Sequence, residues 1–147
     1  MNFKFDTVYI FKCNAKFLPL SDSVVCELFK DGRVASKFLE HSIPLWFTNL
    51  EFVDAAGYDH INKKTGTKYD LKGFTENGST YVPSNMIGAG RKIDLIEMHN
   101  HAKTINYIFS DITEFPIVRI VFKKGTDIIK KYPNGKIPKS EKNVLFK

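Results

Sequence analysis

Two short alternating segments joined by a turn restrict most strongly what this chain can fold into. Residues 57–62 and 67–75 alternate between apolar and polar side chains, a period that is typical of β-strands. Residues 63–66 between them, Lys-Lys-Thr-Gly, have the composition of a tight turn. The two segments therefore predict a β-hairpin with its tip near the glycine.

The predicted hairpin brings two carboxylates and an amine together. Asp70 and Lys72 are two positions apart on the second strand, so their side chains project from the same face. Asp59 lies on the neighbouring strand near Asp70, while His60 faces the opposite side of that strand. Two carboxylates with a backbone carbonyl and waters suit a hard cation, so we expect a Mg²⁺ site that also accepts Mn²⁺.

The rest of the chain predicts helices on either side of these strands. Residues 22–43 have helical periodicity, and Pro44 is expected to end the helical stretch. A further strand should precede the hairpin. Residues 93–102 predict a helix, and residues 105–109 and 117–122 predict two strands. The order helix, three strands, helix, strand, strand predicts an α/β fold with a mixed central sheet, because the second helix is a natural crossover.

At this point the chain resembles the PD-(D/E)xK nucleases, the superfamily that contains most type II restriction enzymes. The resemblance rests on residues 57–59, Gly-Tyr-Asp, and residues 69–72, Tyr-Asp-Leu-Lys, and it covers roughly residues 22–122. Tyr58 stands where the superfamily name has proline, a position at which many members also lack it. The resemblance implies a restriction-endonuclease-like αβββαβ core, which agrees with the predicted order of elements.

The resemblance also implies roles for individual residues. Asp59 and Asp70 would bind the metal ion, and Lys72 would be catalytic. Many members carry a further acidic residue on the first helix that completes the active site. Glu40 is the candidate for that catalytic position, and Glu27 is the second choice.

Two further segments have the residue types that contact DNA. The loop over residues 81–92 follows the second hairpin strand, and a lysine-rich segment begins at about residue 123. The candidate DNA-binding residues have hydrogen-bonding or cationic side chains: Ser84, Asn85, Arg91, Lys92, Lys123 and Lys124. The alternatives are a flexible surface loop and a solvated, partly mobile basic tail.

Composition limits the class of protein. The 147 residues fit a single domain, residues 1–147, and the net charge of +6 favours a polyanionic partner. The two cysteines form no C-x-x-C pair, and no segment resembles a signal peptide or a membrane span. We therefore expect a cytoplasmic protein that makes no membrane contact.

These features together predict a Mg²⁺-dependent endonuclease that cuts double-stranded DNA in a restriction-type reaction. One active site per chain would require a homodimer, or two successive nicks, to cut both strands. The alternatives are a non-catalytic DNA-binding protein on the same fold, and a phage or repair nuclease acting on branched or single-stranded nucleic acid. An unrelated α/β protein with a basic surface is the third possibility.

Overall fold

The computed structural model describes residues 1–16 and 19–147. Within these residues the strands are β1 (Val8–Lys12), β2 (Leu50–Ala55), β3 (Tyr58–Asn62), β4 (Lys68–Phe74), β5 (Ser79–Thr80), β6 (Asn106–Asp111), β7 (Ile117–Lys124) and β8 (Lys136–Ile137). The α-helices in the same residues are α1 (Asp22–Phe29), α2 (Gly32–Trp46), α3 (Leu95–Thr104), α4 (Gly125–Lys131) and α5 (Lys142–Leu145). None of these helices has both the length and the apolar character needed to span a bilayer.

Over the described residues, a six-stranded sheet with the order β1-β7-β6-β4-β3-β2 forms the centre of the molecule. The strands β4 and β6 are parallel, and the other neighbouring pairs are antiparallel. The chain passes from β4 to β6 through α3, because parallel neighbours cannot be joined by a tight turn. The predicted α/β class with a mixed sheet flanked by helices is confirmed.

Each face of the sheet has its own apolar core. The helices α1 and α2 supply Val25 and Leu39 to one core, where they pack with Tyr69 of β4. The helices α3 and α4 supply Met98 and Ile128 to the other core. Each apolar side chain of this size contributes about 1.5–3 kcal/mol when it is fully buried. The two cores therefore fix β4, which carries Asp70 and Lys72, between two helical layers.

The helix α2 is longer than the sequence predicts. Pro44 was expected to end the helical stretch, but it lies inside α2, which continues to Trp46. A proline in a helix interior removes the N–H that would bond to the carbonyl four residues earlier, here that of Glu40. The structure supplies another donor, because Nε2 of His60 lies 2.8 Å from the Glu40 carbonyl oxygen. A contact from a distant strand thus allows the helix to continue past the proline.

The lysine-rich C-terminal segment folds against the rest of the chain. Lys123 and Lys124 are the last residues of β7, and the chain then forms α4, β8 and α5. The strand β8 pairs with β5, which places the C-terminal segment beside the loop that leads to Ser84. Ile137 and Leu145 are buried, so this segment belongs to the second core.

Candidate active site

The strands β3 and β4 pair only near the tip of the hairpin. The last pair on the open side joins His60 to Tyr69. Beyond it, Oδ2 of Asp59 accepts a hydrogen bond of 2.8 Å from the backbone N–H of Leu71. The side chain therefore supplies the acceptor that a paired backbone carbonyl would otherwise provide. This bond fixes the Asp59 carboxylate at the point where the two strands separate.

Asp70 lies on β4 beside this opening and is buried. Burial raises the pKa of its carboxyl to about 7; the Lys72 ammonium opposes this rise, and the charge and hydrogen bonding of Asp59 add to it. The Nζ atom of Lys72 lies 3.0 Å from Oδ2 of Asp70. Two carboxylates thus lie close together, and one lysine only partly balances their charge.

A cavity of about 450 Å³ collects the predicted catalytic residues. Glu40, Asp59, Asp70 and Lys72 all line it, although they come from α2, β3 and β4. Glu27, on α1, does not line this cavity and instead pairs with Lys30, which caps the end of that helix. Of the two acidic helix residues considered in the sequence, only Glu40 lies at the site.

Glu40 does not bond directly to either aspartate. Its Oε2 atom is 2.8 Å from Nζ of Lys37, and the same nitrogen is 3.8 Å from Oδ1 of Asp54. Lys37 and Asp54 also line the cavity. The cavity wall therefore carries a second lysine and a further carboxylate in addition to the predicted residues.

Lys37 and Asp54 were missed in the sequence for different reasons. Lys37 precedes Glu40 by three residues on one helix, a spacing that puts both on one face and could have identified it. Asp54 has a φ of 42° and lies between Phe52 and Ala55, where the β2–β3 register shifts. Such irregularities redirect a side chain towards a site, but periodicity does not report them.

The donor set fits a hard cation bound by two carboxylates. Oδ2 of Asp59 accepts from the Leu71 N–H, Oδ2 of Asp70 lies beside Lys72, and the two carboxyl groups also interact with each other, so both are candidate ligands of one cation. Carboxylate oxygens suit Mg²⁺, which keeps several waters rather than requiring an all-protein cage. Within residues 1–16 and 19–147, no group of three or more His, Cys, Asp or Glu side chains is arranged to hold a metal. The fit therefore concerns Asp59 and Asp70 alone.

The loop after β5 contributes Ser84 to the wall of the cavity. Asn85 lines an adjoining cavity of about 310 Å³ that shares Ser84 with the first. The Nη1 atom of Arg91 donates to the carbonyl oxygens of Ser84, at 3.1 Å, and Ile87, at 3.3 Å. Arg91 thus stabilises the turn that carries Ser84. The neighbouring Lys92 is exposed.

The two lysines at the end of β7 are not in the cavity wall. Nζ of Lys123 lies 2.8 Å from Oδ1 of Asp6, so its charge is balanced within the chain. Nζ of Lys124 lies 5.8 Å from the ring centroid of Phe5, a cation–π contact that leaves this residue exposed. Of the two, Lys124 is the more available for contact with a polyanion.

The chain matches no protein-family model, and no curated protein is significantly similar to it.

Proposed function

We propose that this protein is a Mg²⁺-dependent endonuclease of the restriction-endonuclease-like PD-(D/E)xK class that hydrolyses DNA phosphodiester bonds, with Mn²⁺ able to substitute. One observation carries the proposal. Asp59, Asp70, Lys72 and Glu40 come from three elements and line a single cavity. Charged residues on an ordinary solvent-facing strand would have no reason to converge in this way.

The residues of the chain have separable roles in this proposal. Mg²⁺, when bound, would polarise the phosphoryl oxygen and lower the pKa of a bound water. Asp59 and Asp70 would hold the ion with their carboxylates, which line the same cavity. Lys72 would stabilise the negative charge that develops on the phosphoryl group, because its ammonium lies beside Asp70 in a largely water-excluded site. Glu40 would add a further carboxylate to the cavity wall, on the side formed by α2.

Double-stranded DNA in a restriction-type reaction is the proposed substrate. The net charge of +6 supports a polyanionic partner, and Ser84 and Asn85 offer hydrogen-bonding groups beside the cavity. Each chain would supply one active site, so a homodimer would present two.

The proposal is tested with supercoiled plasmid in the presence of Mg²⁺, and in parallel with EDTA. We expect nicked and linear products with Mg²⁺ and none with EDTA. Asp70→Asn should lower the cleavage rate at least about 100-fold, because losing a metal ligand removes several kcal/mol of transition-state stabilisation. The control is Asp127→Asn, which changes an exposed carboxylate on α4, outside the cavity, and should leave the rate unchanged.

Three other results of the DNA experiments would contradict part or all of the proposed function. Retention of DNA at low salt without cleavage would contradict the nuclease and favour a non-catalytic DNA-binding protein. Cleavage only of branched or single-stranded substrates would contradict the restriction-type reaction and favour a phage or repair nuclease. Failure to bind any DNA would reject both nucleic-acid functions.

A further inference from the structure

Pro44 leaves one backbone carbonyl of α2 without its helical donor. In an α-helix the carbonyl of residue 40 accepts from the N–H of residue 44, and proline has none. Glu40 is the residue concerned, and its side chain lines the candidate active-site cavity. A buried carbonyl that lacked a donor would be costly, so the replacement for that donor matters for the placement of Glu40.

His60 provides the replacement from the catalytic hairpin. Its side chain is fully buried, and Nε2 lies 2.8 Å from the Glu40 carbonyl oxygen. A carbonyl oxygen can only accept, so Nε2 carries the proton. The other ring nitrogen, Nδ1, is buried and has no hydrogen-bond partner among the described residues, as expected if it is unprotonated.

The bond connects two parts of the cavity that the sheet does not join directly. His60 is adjacent in sequence to Asp59 on β3, while Glu40 and Lys37 lie on α2. Asp59 is itself fixed to β4 through the Leu71 N–H. The His60 bond therefore links the helix that carries Glu40 to the strands that carry Asp59 and Asp70.

We propose that His60 is a positioning residue whose Nε2–H, bonded to the carbonyl that Pro44 leaves free, sets the placement of Glu40 and Lys37 relative to Asp59. This role rests on the proposed nuclease function of the cavity. His60 does not line the cavity, and it acts through its bond to α2. The donor from His60 is needed only because Pro44 has no N–H. The effect of replacing His60 on the placement of Glu40 therefore depends on whether residue 44 is proline.

The test is a double-mutant cycle on kcat, KM and thermal unfolding. His60→Leu removes the donor, and we expect kcat per folded molecule to fall about 10- to 100-fold with a much smaller change in KM, since small misplacements in an active site cost this much. His60→Gln can present an amide N–H at a similar reach and should recover most of the rate. Pro44→Ala restores the helical N–H, so in that background His60→Leu should cost less than about threefold.

His99→Leu is the matched control. His99 also bonds through Nε2 to a backbone carbonyl, that of Pro133 at 2.7 Å, but it does not line the cavity. Its replacement should lower the melting temperature without changing kcat per folded molecule. An unchanged kcat in His60→Leu, or an equal loss with and without Pro44→Ala, would overturn the positioning role.

Failure of the nuclease proposal gives a different result. It would appear as no cleavage by the wild-type protein, and the positioning role would fall with it. The hydrogen bond between His60 and the Glu40 carbonyl can then still be tested. The melting temperatures of the variants in the double-mutant cycle test it, and so do long-range ¹H–¹⁵N spectra of the His60 ring. Protonation at Nδ1 instead of Nε2 would overturn the bond whether or not the protein cuts DNA.

Discussion

At the scale of single residues, two lysines form the same kind of ion pair in different surroundings. Lys37 pairs with Glu40 at 2.8 Å and Lys30 pairs with Glu27 at 2.9 Å, each across three residues of a helix or its end. Only Lys37 lines the candidate active-site cavity. Its side chain is 68% exposed, so its ammonium remains accessible to a phosphate.

We expect Lys37→Gln to weaken DNA binding and Lys30→Gln to leave it unchanged. Loss of one phosphate contact should reduce the slope of log affinity against log salt by about 0.9, because one fewer counterion is released. Fluorescence anisotropy with a labelled duplex, measured without divalent metal at several salt concentrations, gives both slopes. Equal slopes for the two variants would contradict a phosphate contact at Lys37.

Asp111 is the buried charge of a cluster at the far end of β6. The Nη1 atom of Arg119 and the Nζ atom of Lys142 both lie 3.1 Å from its Oδ2. Burial by itself would raise the pKa of Asp111, but hydrogen bonds from Thr113 and Lys142 outweigh it and hold the pKa below its usual value. This cluster ties α5 to the central sheet.

Asp111→Asn should lower the free energy of unfolding by about 1–3 kcal/mol at pH 7, because the cationic partners lose a buried carboxylate. The lowered pKa means that the carboxylate stabilises the fold fully above the unfolded-state pKa of about 3.9 and loses this effect as the pH falls through the folded-state value. Urea denaturation of both proteins at pH 7 and at pH 3 measures the difference. A gap that stays constant or widens at pH 3 would contradict this account.

At the scale of elements, the C-terminal segment holds the loop that carries Ser84. The turn before β8 packs closely, since a Cβ at Gly135 would lie 2.4 Å from Cγ2 of Val82 and 2.8 Å from Sδ of Met98. The Gly135 carbonyl also accepts from the N–H of Tyr81 at 2.9 Å. The turn is therefore fixed to both the loop and α3.

Gly135→Ala should destabilise the protein more than Gly90→Ala. Both glycines have positive φ, +82° and +74°, so both alanine variants incur a similar left-handed strain of about 1–2 kcal/mol. Only Gly135 has neighbours in the way; for Gly90 there is nothing within 4 Å of the added Cβ. Overlap should add about 1–3 kcal/mol, read as the difference between the two variants in urea denaturation. Equal losses would mean that the turn is not packed.

At the scale of the whole molecule, the cavity with its pair of aspartates suggests one active site per chain. A homodimer would then cut both strands of a duplex, one strand by each chain. If each chain of a homodimer cuts one strand, mixing active and inactive chains should change the products of cleavage.

Adding excess Asp70→Asn chains to the wild-type protein should convert the product from linear DNA to nicked circles. Mixed dimers would contain one active site and so would cut only one strand. Agarose gel electrophoresis of plasmid products over a range of mixing ratios measures this change. A proportional loss of linear product without nicked circles would indicate that a single chain cuts both strands.

Local patterns in the sequence determined the hairpin, the shared face of Asp70 and Lys72, and the order of the main elements. Periodicity reports which side chains share a face, and turn residues report where a strand ends, because both depend on neighbours along the chain. The candidate acidic residue Glu40 could be named only as one of two choices. The structure distinguishes them, because α2 and not α1 contacts the cavity.

Only the tertiary structure decided the contacts between residues far apart in sequence. Pro44 lies inside a helix because His60, which reaches it from another element, bonds to the carbonyl that the proline leaves free. Lys123 is paired with Asp6, which is 117 positions away, so its charge could not be judged from the lysine-rich segment around it. Such contacts depend on how elements pack in space, and a local pattern contains no record of a distant partner's position.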